Sequence, residues 1–143
     1  MVIYEKRILG IDFGRRRMGI AISDPMRIVA QGLETITYHS SKDLWDKLEA
    51  VLTRYEIEKI VVGIPLNLNG SESDISLLVK KFSELLTKRF KIPVEFWDER
   101  FTSKTAQETL IQMGKSPGRN KKKVDQIAAV LILQNYLDRH SNL

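Results

Sequence analysis

Asp12, the pair Asp98 and Glu99, and Asp125 are far apart in the sequence, yet each stands where a carboxylate is either costly or chemically useful. Asp12 ends the apolar run Ile8 to Ile11 and is followed by Phe13, Gly14 and three consecutive arginines. A strand buried on both faces has no reason to carry an unpartnered charge, which must be paired, neutralised or put to chemical use. Asp98 and Glu99 follow the apolar segment Val94 to Trp97. Successive strand side chains point to opposite faces, so only one of the two can share a face with Asp12. Asp125 opens the last helical pattern, and the small Ala128 and Ala129 one turn later would let that helix approach a sheet closely.

Carboxylates brought together repel, and at least one takes up a proton unless a cation is supplied. Mg²⁺ or Mn²⁺ removes the conflict, because hard divalent ions prefer oxygen ligands and need few of them from protein. Two such ions about 4 Å apart can activate a water, orient it in line and stabilise the departing oxygen of a phosphodiester. This chemistry requires neither thiol nor imidazole. The chain has no cysteine, which excludes disulfides, thiolate zinc sites and thiol nucleophiles. Its two histidines, His39 and His140, fall outside any strand-end pattern, so a histidine-based triad is not expected.

Basic residues flank the proposed acids. Arg15, Arg16 and Arg17 follow Asp12, while Lys115, Arg119, Lys121, Lys122 and Lys123 lie in a breaker-rich segment directly before Asp125. Such clusters bind phosphate backbones without reading sequence, although a solvated linker carries similar charge. The formal charge of +5, from 23 basic and 18 acidic residues, favours an anionic partner such as nucleic acid. Asn67, in the loop Pro65 to Gly70, and Arg100 are further candidate phosphate contacts. Their plainer readings are a turn residue and a partner of neighbouring acids.

The elements that must position these groups follow from periodicity. Arg7 to Asp12, Gly19 to Ser23 and Ile28 to Thr37 are predicted as strands, the first two forming an antiparallel hairpin across the arginine turn. Leu44, Leu48, Val51, Leu52 and Tyr55 mark an amphipathic helix capped by Ser40 or Ser41. Ile60 to Ile64 is a buried strand closed by Pro65, and Ser71 is the predicted cap of a helix carrying Ile75, Leu78, Val79, Phe82 and Leu86. Val94 to Asp98 is the fifth strand, with helices over about Thr102 to Met113 and Lys123 to Asp138. Trp45, Phe82, Phe90, Phe96 and Trp97 are expected in the core.

The pattern predicts one α/β domain spanning 1–143, a five-stranded mixed β-sheet flanked by helices. The C-terminal ends of strands one, four and five would share an edge. With strand four between them, Asp12 and Glu99 start from backbones roughly 10 Å apart, at about 4.8 Å per strand. The longer glutamate can span that gap, and Gly63 on the intervening strand leaves room for it.

These residues resemble the YqgF family, also called RuvX, of Holliday junction resolvases and pre-16S ribosomal RNA nucleases with a ribonuclease H-like fold. The resemblance rests on Leu9 to Gly14 with Gly19 to Asp24, Val61 to Asn67 with Gly70, Asp98 to Thr102, and Lys123 to Asp125 with Ala128, Ala129 and Leu131 to Gln134. It implies that Asp12, Glu99 and Asp125 are the metal-binding and catalytic acids, with Mg²⁺ or Mn²⁺ as cofactor. It also implies cytoplasmic work on the 5′ end of pre-16S rRNA, in ribosome biogenesis, or on branched DNA. RuvC resolvases resemble this fold but carry an acid on the fourth strand, where this chain has Gly63.

Two other readings stay open from the residues. A non-catalytic module binding ribosomal RNA or junctions would keep the acids for folding or for one structural ion. An actin-like or sugar-kinase ATPase resembles the Gly10 to Gly14 motif but needs two such domains. The longest apolar stretch, Ile127 to Leu133, is far short of the roughly 20 residues that span a bilayer, so a soluble cytoplasmic protein is expected, as monomer or homodimer.

Overall fold

The computed structural model describes residues 2–100, 102–116 and 118–140; Phe101 of the fifth-strand motif and Pro117 of the basic segment lie outside them. The chain runs β1 (Arg7–Phe13), β2 (Arg17–Ser23), β3 (Ala30–Gly32), β4 (Ile36–Thr37), α1 (Ser41–Leu52), β5 (Ile57–Ile64), α2 (Asp74–Phe90), β6 (Val94–Asp98), α3 (Thr102–Gln112) and α4 (Lys121–Arg139). The sheet order is β3-β2-β1-β5-β6, with β4 also pairing β2. β1 and β2 are antiparallel, whereas β1, β5 and β6 are mutually parallel neighbours. Their C-terminal ends therefore lie along one edge, as the βαβ crossovers require.

Strand alternation divides the apolar residues between two layers. Leu9, Ile11, Ile20, Ile22, Ile60 and Val62 face α1 and α2, where Trp45 and Phe82 stack at 5.4 Å between ring centroids. Ile8, Ala21 and Val61 face α4, which covers them with Ala129, Ile132, Leu133 and Tyr136. The α4 layer is thin by design of the strands. A Cβ added at Gly10 would stand 2.8 Å from the Cβ of Leu133, so the helix and sheet meet where side chains are missing.

Three expectations are corrected. The strand expected over Ile28 to Thr37 is two short ones, making the sheet six-stranded among the described residues. Asp24 is the cause at one end: its Oδ1 accepts the backbone N–H of Ile28 at 2.7 Å and of Val29 at 2.9 Å, holding them in a turn. Between β3 and β4 the chain is tied instead to α4, with Leu33 O accepting from Gln126 Nε2 at 2.7 Å and Thr35 Oγ1 donating to Lys122 O at 2.6 Å. The α2 cap is Ser73, in a reciprocal capping box with Ser76, because the Ser71 backbone N–H and hydroxyl are both taken by Asn69 Oδ1. Phe96 is not core but 38% exposed, since β6 is the edge strand and α2 packs chiefly over β5. Trp45 and Phe82 are buried, Phe90 packs on them partly buried, and Trp97 lies edge-on to Tyr136. Among the described residues no helix is long and apolar enough to cross a membrane.

Candidate active site

Parity along the strands selects the residues that meet. On β1, Ile8, Gly10 and Asp12 share the α4 face, and Asp12 is paired with Gly19 of β2. On β5 the same face carries Val61 and Gly63, and on β6 their register partners are Glu95 and Trp97. Two residues beyond Trp97, Glu99 continues that face, so it is Glu99 and not Asp98 that turns toward Asp12. The Glu99 carboxylate crosses over Gly63: a Cβ there would lie 2.7 Å from Glu99 Oε2 and 2.4 Å from Ile132 Cδ1. The glycine expected to leave room for the glutamate does so.

Asp12 and Glu99 meet as a hydrogen-bonded carboxyl pair, and both are held far above the ordinary carboxylate range. Burial is the main cause for each; the Asp125 charge adds to it at Asp12, and the Asp12 charge adds to it at Glu99. Glu99 is pushed up to about 9 and Asp12 to about 7. The pair thus shares a proton through neutral pH. Among the described residues no basic side chain forms an ion pair with either.

Asp125 is treated differently. It comes from the second turn of α4, which lies so close to β2 that a Cβ at Gly19 would stand 1.9 Å from the Asp125 carbonyl oxygen. Its carboxylate accepts from Arg17 Nε at 2.7 Å, with Arg17 32% and Asp125 19% exposed. Burial raises the Asp125 carboxyl and the Arg17 guanidinium opposes the rise. Among the described residues, no three acidic or histidine side chains are gathered closely enough to hold one metal ion together. The structure brings Asp12 and Glu99 together and leaves Asp125 beside them, engaged elsewhere.

Next to the acids lies a groove of about 1290 Å³, walled on one side by Arg15, Arg16 and Arg17 and on the other by Arg119, Lys121, Lys122 and Lys123. Its one acidic lining residue, Glu34, is paired with Arg54. The arginine turn is held from behind by Tyr38, whose hydroxyl donates to Gly14 O and whose backbone N–H donates to Arg16 O at 3.0 Å. Tyr38 and Gln126, which also lines the groove, were not among the sequence candidates; both sit in apolar or helical patterns that give no sign of this placement.

The remaining candidates are dispersed. Arg100 is committed to Asp98 through Nε at 2.8 Å and to Leu68 O at 3.1 Å, and its hydrogen bond, aided by its charge, holds the Asp98 carboxyl low. Asn67 donates to Ser71 Oγ at 3.0 Å and Glu72 O at 3.2 Å, and faces Arg15 across a smaller cavity. Lys115 is exposed past the end of α3 and lines none of these cavities.

An antiparallel hairpin leading into parallel β5 and β6, with α4 laid across the acid-bearing face, is the ribonuclease H-like fold. Solved structures share it: Thermus thermophilus RuvC in complex with a Holliday junction substrate superposes with a TM-score of 0.55 at 14% identity, covering 94% of each chain. The fowlpox virus resolvase, in complex with substrate Holliday junction DNA, gives 0.59 at 14% identity over 93% of this chain and 97% of that one. Residues 6–139 match the family model of RuvX, described as Holliday junction resolvase, and the chain belongs to this family. It is 44% identical over 92% of its length to a candidate pre-16S rRNA nuclease of Syntrophomonas wolfei, covering 94% of that protein. A relative of the same name from Heliobacterium modesticaldum is 42% identical over 96% of this chain and 92% of its own. Membership places the chain among nucleases, hydrolases of phosphodiester bonds.

Proposed function

We propose that this chain is a divalent-metal-dependent endonuclease whose Asp12 and Glu99 hold Mg²⁺ or Mn²⁺ and whose Asp125 completes the site. The observation that carries the reading is the carboxyl pair. The fold spends Gly63 to bring two acids into hydrogen-bond contact, and both carboxyls are raised by burial and then by repulsion from a neighbouring carboxylate, a conflict that a bound cation would relieve. Oxygen donors alone suit a hard ion and not zinc or copper. When bound, such an ion supplies Lewis-acid polarisation of the scissile phosphate and lowers the pKa of an attacking water.

The chain's own residues account for the rest. Asp12 and Glu99 release their shared proton before they can hold an ion, so activity rises with pH through the neutral range. Arg15, Arg16, Arg17, Arg119, Lys121, Lys122 and Lys123 neutralise a phosphate backbone lying in the groove and bring it up to the acids. Arg100, Asn67 and Lys115, which do not line the groove, would meet the nucleic acid only beyond it.

The substrate supported best is precursor 16S rRNA, the substrate in the name of the relatives that match along nearly their whole length, and we infer its 5′ end as the point of cleavage. Branched DNA is the second substrate, favoured by the family description. We infer a cytoplasmic enzyme. A single chain suffices for RNA ends, whereas symmetric cutting of a junction needs a homodimer. Incubation with precursor 16S rRNA or a four-way junction, with Mg²⁺ or Mn²⁺, tests the proposal together with Asp12→Asn. Metal-dependent cleavage lost in the variant supports it; salt-sensitive binding without turnover means a binding module instead.

A further inference from the structure

Arg17 belongs to two sites at once. It lines the basic groove, and its Nε holds Asp125 Oδ2 at 2.7 Å, whereas neither Asp12 nor Glu99 lines that groove. The ion pair therefore links a residue of the cationic channel to a carboxylate whose charge reaches Asp12. We propose that Arg17 withholds Asp125 from Asp12 and Glu99 until a phosphate backbone in the groove draws the guanidinium away, so that nucleic acid and divalent cation bind cooperatively. The inference rests on the metal-site reading above and assigns Arg17 as a positioning residue acting through Asp125.

Only side chains need to move. The backbone at Asp125 is clamped, because α4 approaches β2 at Gly19 with no room for even a Cβ, and Gln126 next to it donates to Leu33 O at 2.7 Å. The backbone of Arg17 is fixed as well, in register with Thr37 of β4. Asp125 already lies close enough to act on Asp12 through its charge, yet no three-carboxyl cluster exists among the described residues. A rotation of one aspartate is the smallest change that would complete the set. Arg17 is about one-third exposed, and a guanidinium forms bidentate hydrogen bonds with phosphate as readily as with carboxylate. A phosphate in the groove thus competes directly for it, and by linkage whatever nucleic acid gives to metal affinity, metal returns to nucleic-acid affinity.

Mn²⁺ titration of the free protein, read by electron paramagnetic resonance of unbound ion, tests this without turnover. Arg17→Met should bind Mn²⁺ about tenfold tighter than wild type, within the usual range of such couplings. Combined with Asp125→Asn, the same change should alter affinity by no more than about twofold, since the coupled partner is gone. Arg17→Gln should repeat the result if the methionine variant folds poorly. Oligothymidylate, a phosphate backbone with neither branch nor ribosomal sequence, should tighten Mn²⁺ binding more in wild type than in Arg17→Met. A gain that survives Asp125→Asn would be mere loss of positive charge and would overturn the proposal, as would no gain at all. Absence of Mn²⁺ binding by every form would overturn the metal site itself, and this inference with it.

Discussion

The two carboxylate environments of this molecule, a few side chains apart, are built on opposite principles. Asp12 and Glu99 are forced into contact and share a proton, with no ion pair to either from a described residue. Asp125, presented by the helix that covers them, has a guanidinium at 2.7 Å. In the empty protein Asp125 is compensated within the fold by Arg17, as Asp98 is by Arg100. Uncompensated acids are destabilising in the empty protein, and the cation of the proposed function would relieve them.

The contrast can be broken at several points. Asp12→Asn removes one member of the pair and should lower metal-dependent cleavage by about a thousandfold, a loss of the several kcal/mol that a positioned ion supplies, with nucleic-acid affinity measured in the absence of divalent metal unchanged. Single-turnover cleavage and fluorescence anisotropy separate the two effects. Gly19→Ala attacks the other environment. Its Cβ would meet the Asp125 carbonyl at 1.9 Å, and backbone cannot rotate away as a side chain can. Chemical denaturation should show about 3 kcal/mol of destabilisation, the upper end for overpacking.

Glu99→Gln sharpens the comparison through pH. The Glu99 carboxyl is raised, so the folded state binds its proton more tightly than the unfolded chain does. The stability this contributes is complete below the ordinary value of 4.5 and is lost as pH climbs toward about 9. Wild type should therefore lose thermal stability between pH 5 and pH 9, while the glutamine variant escapes much of that loss. At pH 8 the variant should be more stable by about 1–2 kcal/mol, roughly one pKa unit or slightly more in energy. Added Mg²⁺ should raise the melting temperature of wild type only. The smallest effect is expected in the groove, where Lys121→Ala with Lys122→Ala should weaken nucleic-acid binding several-fold and reduce the salt slope by about one per lost phosphate contact.

Much of this site was legible before the structure. Asp12 stood out because a charge ended an apolar strand, and Gly63 because a gap of two strand spacings needed empty space between two acids. The choice between Asp98 and Glu99 could not be made from β6 alone, since alternation says only that they differ. It requires the register Gly63 with Trp97, which fixes the β6 face relative to β5 and β1. The Arg17 to Asp125 pair was invisible for a different reason: its members are 108 residues apart and belong to elements whose proximity depends on the absent side chain of Gly19. The strand expected over Ile28 to Thr37 has good β composition, but Asp24 captures two of its N–H groups and α4 ties down its middle. Local side-chain hydrogen bonds there overrode propensity. Phe96 shows the converse limit, because an apolar strand residue is buried only if some element covers its face.

Crystals soaked in Mn²⁺ at pH 8 and measured near the manganese absorption edge offer the most direct test of the acid pair. An anomalous peak between the carboxylates of Asp12 and Glu99 is the expected result. A manganese-free map in which those two side chains point away from each other would contradict the account.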